Sequence, residues 1–248
     1  MGSIYFVSDL HLGAPNLKDS HVREQRFLRW IDQHQADMDA LFIVGDLFDF
    51  WFEYKRVVPR GFVRTLGRLA TLSDSGIPIY FFTGNHDLWV DDYLEKEIGC
   101  KVFTEPQCFE LQGKKLLVGH GDGLGPGDHG YKFLKRIFTN PFLKWCFARI
   151  HPNTGIALAD YFSRKSRAKT GHKDQETNGM DEEWLYVYAR DYQQTNTPVD
   201  LFVFGHRHLP FDEKLPEGGR YINLGDWIQY FTFGKLCKGE MTLEEFKD

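Results

Sequence analysis

The chain has 248 residues and a formal net charge of −5, so it is long enough for one large domain and has no overall attraction for nucleic acid or anionic membranes. No apolar run approaches the roughly 20 residues that a bilayer span requires. The first residues lead directly into a strand-like run, so we expect no signal peptide. The four cysteines lack the spacing of metal ligands, which predicts reduced thiols and a cytoplasmic protein.

Five short apolar runs predict buried β-strands. Each contains about four or five consecutive apolar residues rich in Ile, Val, Phe and Tyr, a pattern typical of strands that are buried on both faces. The runs cover residues 3–9, 40–46, 78–84, 114–121 and 200–206. Helical periodicity over 22–35 and 61–73 lies between the first three runs, which predicts parallel strands joined by right-handed helical crossovers. Residues 219–234 predict further strands.

Each of the five runs ends in residues that can bind a metal ion. Because the carboxyl ends of parallel strands meet in one crevice, we expect these side chains to converge despite their separation in sequence. Taken singly, each is better explained as a turn residue or a hydrogen-bonded core histidine, but five such endings in order indicate a metal centre. The candidate ligands are Asp9, His11, Asp46, Asn85, His120, His206 and His208.

The composition of this donor set indicates two transition-metal ions. Mixtures of imidazole and carboxylate bind divalent manganese, iron or zinc, whereas magnesium and calcium prefer oxygen ligands alone. Seven ligands are too many for one ion and suit two, with Asp46 giving one carboxylate oxygen to each. Only Asp9 and Asp46 carry negative charge, so the loaded site stays positive and suits a phosphate ester.

The motifs resemble those of the calcineurin-like binuclear metallophosphoesterase superfamily, over residues 5 to about 225. They are Asp9-x-His11, Gly45-Asp46, Gly84-Asn85-His86-Asp87, Gly119-His120 and Gly205-His206-x-His208. The resemblance implies an α/β fold, a β-sandwich flanked by helices (α/β/β/α), with two metal ions at its top. It assigns one ion to Asp9, His11, Asp46 and His208, and the other to Asp46, Asn85, His120 and His206.

The same resemblance predicts a catalytic set of His86, Asp87 and Asp46. His86 would face the substrate and either stabilise the transferred phosphoryl group or protonate the leaving oxygen. Asp87 would orient the His86 ring, and Asp46 would bridge the two ions.

A long segment of helical character, residues 123–199, separates the fourth and fifth motifs, and we expect it to be an insertion within a single domain of residues 1–248. Residues 120–173 contain ten Lys or Arg against three acidic residues, so the net charge of this segment is opposite in sign to that of the whole chain. The segment is therefore either a helical subdomain with a solvated basic face or a lid beside the metals. In a lid, the basic residues would suit an anionic amphiphile or a membrane surface, and the aromatic side chains would suit its apolar part.

Sequence stretches around this insertion resemble the UDP-2,3-diacylglucosamine hydrolase family of lipid A biosynthesis. The stretches are GHGDGLGPGDHGYKFLKR, NPFLKW, ALADYFSRKSRAKTGHK and YINLGDW. The resemblance implies a peripheral membrane enzyme that uses Mn²⁺ to split the substrate's pyrophosphate into UMP and 2,3-diacylglucosamine 1-phosphate, with the acyl chains held by the insertion. The substrate contacts that it implies are Asn85, His86, Asp128, Tyr131, Ser166, Thr170, Lys173 and His206.

The chain departs from that family at two positions. Thr170 stands where Asn is usual, and His86 stands where Arg is usual. Arg suits a phosphate leaving group, which needs charge stabilisation, whereas His also suits an alkoxide leaving group, which benefits from a general acid. A metallophosphoesterase acting on another phosphomonoester or phosphodiester therefore remains open.

A binding scaffold that has lost catalysis is the alternative from another class, but such a protein would be expected to have lost ligands, and all seven are present. A nuclease would carry a broader basic footprint. We therefore expect an anionic glycolipid nucleotide as substrate, peripheral contact with the inner leaflet of the cytoplasmic membrane, no nucleic-acid partner and no obligate protein partner.

Overall fold

Two β-sheets pack face to face, with helices on both outer faces. The computed structural model describes residues 2–14, 17–126, 129–170 and 179–247, without the side chains of 17, 18, 129, 164 and 166–170. The strands are β1 (Ser3–Val7), β2 (Met38–Val44), β3 (Ile79–Phe82), β4 (Lys101–Phe103), β5 (Gln107–Leu111), β6 (Lys114–Val118), β7 (Leu201–Phe204), β8 (Pro210–Lys214), β9 (Arg220–Leu224), β10 (Thr232–Cys237) and β11 (Glu240–Glu245). The α-helices are α1 (Leu17–His34), α2 (Val63–Asp74), α3 (His129–Phe138), α4 (Pro141–Phe147), α5 (Pro152–Thr170) and α6 (Trp184–Thr195).

The first sheet has the strand order β11-β10-β1-β2-β3-β4. Strands β1 to β4 are parallel, and β10 and β11 extend the β1 edge in antiparallel orientation. Helices α1 and α2 connect β1 to β2 and β2 to β3, and a π-helical turn, Leu94–Ile98, precedes β4. The predicted parallel strands with helical crossovers are confirmed.

The second sheet has the order β5-β6-β7-β9-β8. Strands β6, β7 and β9 are parallel, while β5 and β8 pair in antiparallel orientation at the edges. The five runs that the sequence marks as buried strands become β1, β2, β3, β6 and β7, and residues 219–234 supply β9 and the start of β10.

Three apolar layers hold this arrangement together. Between the sheets, Phe6 of β1 stacks on Phe42 of β2 with ring centroids 4.7 Å apart, and both belong to a buried cluster with residues of β6, β7 and β9. Trp30 of α1 and Leu69 of α2 pack on the outer face of the first sheet. Leu185 of α6 packs on the outer face of the second. The central strands, such as β1 and β7, are buried on both faces, which explains the unbroken apolar runs, and the two packed sheets with outer helices confirm the α/β/β/α prediction.

The segment between β6 and β7 contains α3, α4, α5, a 3₁₀ turn (Met180–Glu182) and α6. Helix α6 belongs to the packing of the second sheet, whereas α3 and α4 contact the loop after β3. There Trp89 donates its indole N–H to the Phe138 carbonyl over 2.8 Å, and Lys144 pairs with Asp91 at 2.5 Å. None of the helices in the described part of the chain is long and apolar enough to cross a membrane.

Candidate metal centre

The loops at the carboxyl ends of β1, β2, β3, β6 and β7 bring the seven predicted ligands together. Asp9, His11, Asp46 and His120 are buried, and the remaining three ligands are partly exposed at the rim. The site therefore has a buried base and an opening toward solvent, the form that a substrate needs.

One half of the centre is built around Asp9. Its Oδ1 lies 3.6 Å from Nε2 of His11 and 3.6 Å from Nε2 of His208, and the two imidazole rings stack with centroids 4.9 Å apart. These three side chains are close enough for one cation to contact all of them.

The other half is built around Asn85. Its Oδ1 lies 2.9 Å from Nδ1 of His206 and 3.2 Å from Nε2 of His120. Asp46 stands between the halves, because its Oδ2 is 3.4 Å from Nε2 of His120 and 3.5 Å from Nε2 of His11. This position is the one that a bridging carboxylate needs.

The hydrogen bonding of the donor atoms, and not only their residue types, fits divalent cations. Asp9 Oδ1 and Nε2 of His11 are buried and have no hydrogen-bond partner among the described residues, although buried polar atoms nearly always have one. The spacings of 3.4–3.6 Å are long for hydrogen bonds. They suit two atoms that each lie about 2.0–2.2 Å from a shared ion.

The backbone at the ligands is strained. Positive φ angles of 44° to 70° are found at Asp9, His11, Asp46, His206 and His208, a conformation that few residues other than glycine adopt and that concentrates at functional sites. Glycines make room beside the ligands. A Cβ at Gly45 would collide with the His120 ring, and one at Gly84 with the Asp46 carboxylate.

Oxygen acceptors orient three of the imidazoles through Nδ1, while Nε2 of each ring faces a carboxylate of the centre. His120 Nδ1 lies 2.9 Å from the Val44 carbonyl, His208 Nδ1 lies 3.2 Å from the Asp226 carboxylate, and His11 Nδ1 lies 3.3 Å from the Asp49 carboxylate. Such partners fix the tautomer and leave Nε2 for the ion.

Asp49 and Asp226 were not among the predicted site residues, although the sequence carries a signal for each. Asp226 follows Gly225 at the end of β9, the same Gly-Asp pattern that marks Asp46 at the end of β2. Asp49 comes three residues after Asp46, on the same loop.

The structure does not place the Asp87 carboxylate beside the His86 ring as expected, and the substrate role of His86 stays a prediction. His86 Nδ1 lies 2.9 Å from the Asp49 carbonyl oxygen and 3.5 Å from its carboxylate, so Asp49 is the residue beside this ring. Asp87 is fully buried; it accepts hydrogen bonds from the backbone N–H groups of Gly84 at 2.7 Å and Leu47 at 2.9 Å. The Asp87 carboxylate thus joins the loops after β2 and β3.

The His86 backbone N–H donates to Asp46 Oδ1 over 2.9 Å. The His86 side chain is also close enough to His11 and Asp46 for the three to share a cation. The geometry therefore allows His86 either to contact the substrate or to bind an ion. Removal of the His86 side chain would reduce metal content only if His86 is a metal ligand.

Opposing effects shift the pKa values of the metal-free centre. Burial alone would lower the pKa of His11, but the neighbouring carboxylates, first Asp49 and Asp9, outweigh it and raise this pKa to about 10. Burial likewise opposes protonation of His120, but the charge of Asp46 raises its pKa to about 10. Burial and the charge of His120 lower the pKa of His206 to about 4. Without metal, the positive charges of protonated His11 and His120 therefore offset the negative charges of the neighbouring carboxylates.

The other predicted substrate contacts lie on α3, on α5 and in segments outside the described residues. Tyr131 lies on α3, where its hydroxyl donates to Asp122 over 2.6 Å and its ring centroid is 6.2 Å from that of His206. Ser166 and Thr170 lie on α5, but their side chains are outside the description. Asp128 and Lys173 lie outside the described residues.

Residues 2–210 match the calcineurin-like phosphoesterase family, and the chain belongs to this family. Fold, donor set and family together define a metal-dependent phosphoester hydrolase that works with divalent metal ions. A UDP-2,3-diacylglucosamine hydrolase of Porphyromonas gingivalis is 38% identical to this chain over 257 residues, covering 99% of this chain and 98% of the relative. One from Aeromonas hydrophila is 32% identical over 248 residues, covering 98% of both. The solved structure of an archaeal phosphodiesterase aligns over 98% of both chains with 13% identity and a TM-score of 0.47.

Proposed function

We propose that this protein hydrolyses the pyrophosphate of UDP-2,3-diacylglucosamine, a lipid A precursor, and releases UMP and 2,3-diacylglucosamine 1-phosphate. The observation that carries the proposal is the full-length likeness to a UDP-2,3-diacylglucosamine hydrolase, 38% identity over 99% of this chain. Because the alignment spans both proteins almost completely, it includes the segment between β6 and β7, where we expect a lid.

The surface of α3, α4 and α5 supports an amphiphilic substrate. Large apolar side chains on these helices are 54–67% exposed, more than a helix serving only as packing would leave in water. They are Phe133, Phe142, Trp145, Tyr161 and Phe162. Cations on the same helices, including Lys132 and Arg136, suit an anionic head group. We place the acyl chains against these helices and propose peripheral contact with the cytoplasmic membrane.

The ligands proposed for one ion are Asp9, His11, Asp46 and His208, and for the other Asp46, Asn85, His120 and His206. Two divalent ions held there would supply positive charge to activate a water molecule and to neutralise the phosphoryl oxygens of an in-line displacement. Mn²⁺ is the ion that we propose, since imidazole, carboxylate and amide donors together suit it, with iron and zinc as alternatives.

The chain's own residues position the substrate and its charge. Asp49 fixes Nδ1 of His86 through its carbonyl oxygen, which leaves Nε2 of His86 for a phosphoryl oxygen or the leaving group. Burial lowers the pKa of His86, so we propose that the negative charge of the bound phosphate holds the second proton on its ring. His86 protonated in this way would stabilise the departing sugar phosphate by charge, the role for which Arg is usual in the relatives' family. Asp46 would keep the two ions at a fixed separation.

A second candidate is the hydrolysis of another phosphate ester, which His86 favours because an imidazole also serves as general acid for an alkoxide. To separate the two, the Mn²⁺-loaded protein is incubated with UDP-2,3-diacylglucosamine or with an aryl phosphodiester. The proposal predicts release of UMP from the lipid and slow cleavage of the aryl ester. Rapid aryl-ester cleavage with an inert lipid would support the second candidate instead.

A further inference from the structure

A cavity of about 650 Å³ adjoins the metal centre. Of the seven proposed metal ligands, His120 alone lines it. It lies between α3 and three loops, namely residues 83–88 after β3, 104–106 after β4 and 121–124 after β6. Its volume is within the range of sites that bind small organic molecules.

The charges that line the cavity favour an anion. Lys135 pairs with Asp122 at 2.7 Å. Lys132 and Arg136 have no carboxylate partner within ion-pair distance among the described residues; the Lys132 ammonium donates instead to the Gly125 carbonyl over 2.6 Å. The acids in the lining are Asp122 and Glu105, so three cations face two carboxylates next to a cation-binding centre.

The rest of the lining combines apolar and hydroxyl side chains. The apolar ones are Phe82, Leu88, Pro106 and Leu124, and the hydroxyl ones are Thr83, Thr104 and Thr139. A wall of this kind suits the face of a flat heterocycle, while the cations of α3 suit a phosphate. A nucleoside monophosphate combines the two chemistries in one molecule of suitable size.

The cavity and helix α5 approach the centre through different residues. Ser163 of α5 donates to the Asp49 carboxylate at 3.3 Å, on the side of His11 and His86. The cavity reaches the centre through His120 and Asp122, on the side of the other proposed ion. A pyrophosphate bound across both ions would therefore direct its two substituents to different places.

We propose that this cavity is the nucleotide subsite, in which the UMP part of the substrate binds with its phosphate between the ion proposed at His120 and the cations Lys132 and Arg136, and with its base against Leu88, Pro106 and Leu124. The assignment rests on the proposed function, because it uses the nucleotide that the proposed substrate contains. The lipid part would then lie on the α5 side.

The test measures binding of UMP, uridine and inorganic phosphate to the Mn²⁺-loaded protein by calorimetry, without turnover. Wild type should bind UMP more tightly than either fragment. Arg136→Ala and Lys132→Ala should each weaken UMP binding about tenfold or more, the loss of one charge-assisted contact. Arg149→Ala is the matched control, since Arg149 lies over Trp145 outside the cavity, and it should bind UMP as wild type does.

A second variant tests the cavity without removing a charge. Thr104→Trp should block it and weaken UMP binding, while Thr104→Ser should not. The proposal is overturned if the α3 variants and Thr104→Trp bind UMP like wild type, if wild type does not bind UMP, or if inorganic phosphate binds as tightly as UMP.

Measuring lipid hydrolysis by the same wild-type preparation distinguishes failure of the nucleotide subsite from failure of the proposed function. Turnover of UDP-2,3-diacylglucosamine with unaltered UMP binding in the variants would reject the subsite and keep the function. Impaired UMP binding in the variants without lipid turnover by wild type would reject the function and keep a nucleotide site.

Discussion

The carboxylate of Asp49 lies 3.3 Å from Nδ1 of His11. Through its carbonyl oxygen and carboxylate the same residue contacts His86, and its other carboxylate oxygen accepts a hydrogen bond from Ser163 of α5. One side chain thereby connects a proposed metal ligand, a proposed substrate contact and the helix that we expect to form the lid.

Asp49→Asn should weaken metal binding on the His11 side by about 10- to 100-fold, because loss of a partner behind a ligand imidazole lowers its basicity and frees its ring. Mn²⁺ titration followed by electron paramagnetic resonance would measure this loss. Ser163→Ala is the control, since it removes the contact with α5 and leaves the Asp49–His11 pair. Equal metal affinity in wild type and Asp49→Asn would show that Asp49 does not support the ligand.

His86→Ala should leave metal content intact and lower kcat by about 10²- to 10⁴-fold, the usual contribution of a positioned proton donor or charge. Elemental analysis and steady-state kinetics on one preparation would measure both quantities. His86→Arg should retain most of the lipid hydrolysis, because a guanidinium also stabilises a departing phosphate. Loss of metal from His86→Ala would instead make His86 a ligand.

The strands of the centre could be predicted because their burial on both faces produces unbroken apolar runs, as in Phe42 and Val203. The ligands could be predicted because each follows such a run. Edge strands gave no comparable signal: β8, Pro210–Lys214, is polar and largely exposed. It is defined by its pairing with β9, a long-range contact that local sequence does not encode.

The roles of Asp49 and Asp87 depended on loop geometry rather than on motif. Asp87 follows His86 in sequence, but its carboxylate turns to the backbone N–H groups of Gly84 and Leu47. Asp49 reaches the His86 ring because the chain turns at Asp46, where φ is 53°. A positive φ at a residue other than glycine is not readable from the sequence, so which carboxylate lies beside His86 could not be predicted.

Metal binding should release about two protons at pH 7, because His11 and His120 have pKa values of about 10 without metal and must become neutral to bind an ion. Apparent affinity should therefore fall as the pH drops and rise toward pH 10. Calorimetry of Mn²⁺ binding in two buffers with different ionisation enthalpies would count the protons. An enthalpy that is independent of the buffer would contradict this assignment.

Arg207→Ala should reduce the free energy of unfolding by about 3–5 kcal/mol, because it leaves the Glu183 carboxylate buried without a partner. The two side chains are 4% and 1% exposed and 2.8 Å apart. The pair also ties the loop of His206 and His208 to the start of α6, so activity should fall as well. Denaturant unfolding would measure the change, with the exposed pair of Arg68 and Asp32 as control. Arg68→Ala should change stability little; an equal effect of both substitutions would mean that burial of the Arg207 pair is unimportant.

Anomalous diffraction from Mn²⁺-soaked crystals would show directly whether the centre holds two ions bridged by Asp46. We expect two peaks about 3.5–4 Å apart, one beside Asp9, His11 and His208 and the other beside Asn85, His120 and His206, with Asp46 between them. Crystals of the Asp46→Ala protein should lack this pair of peaks, and the same protein in solution should have no turnover. A single peak, or peaks away from Asp46 in wild type, would contradict the account.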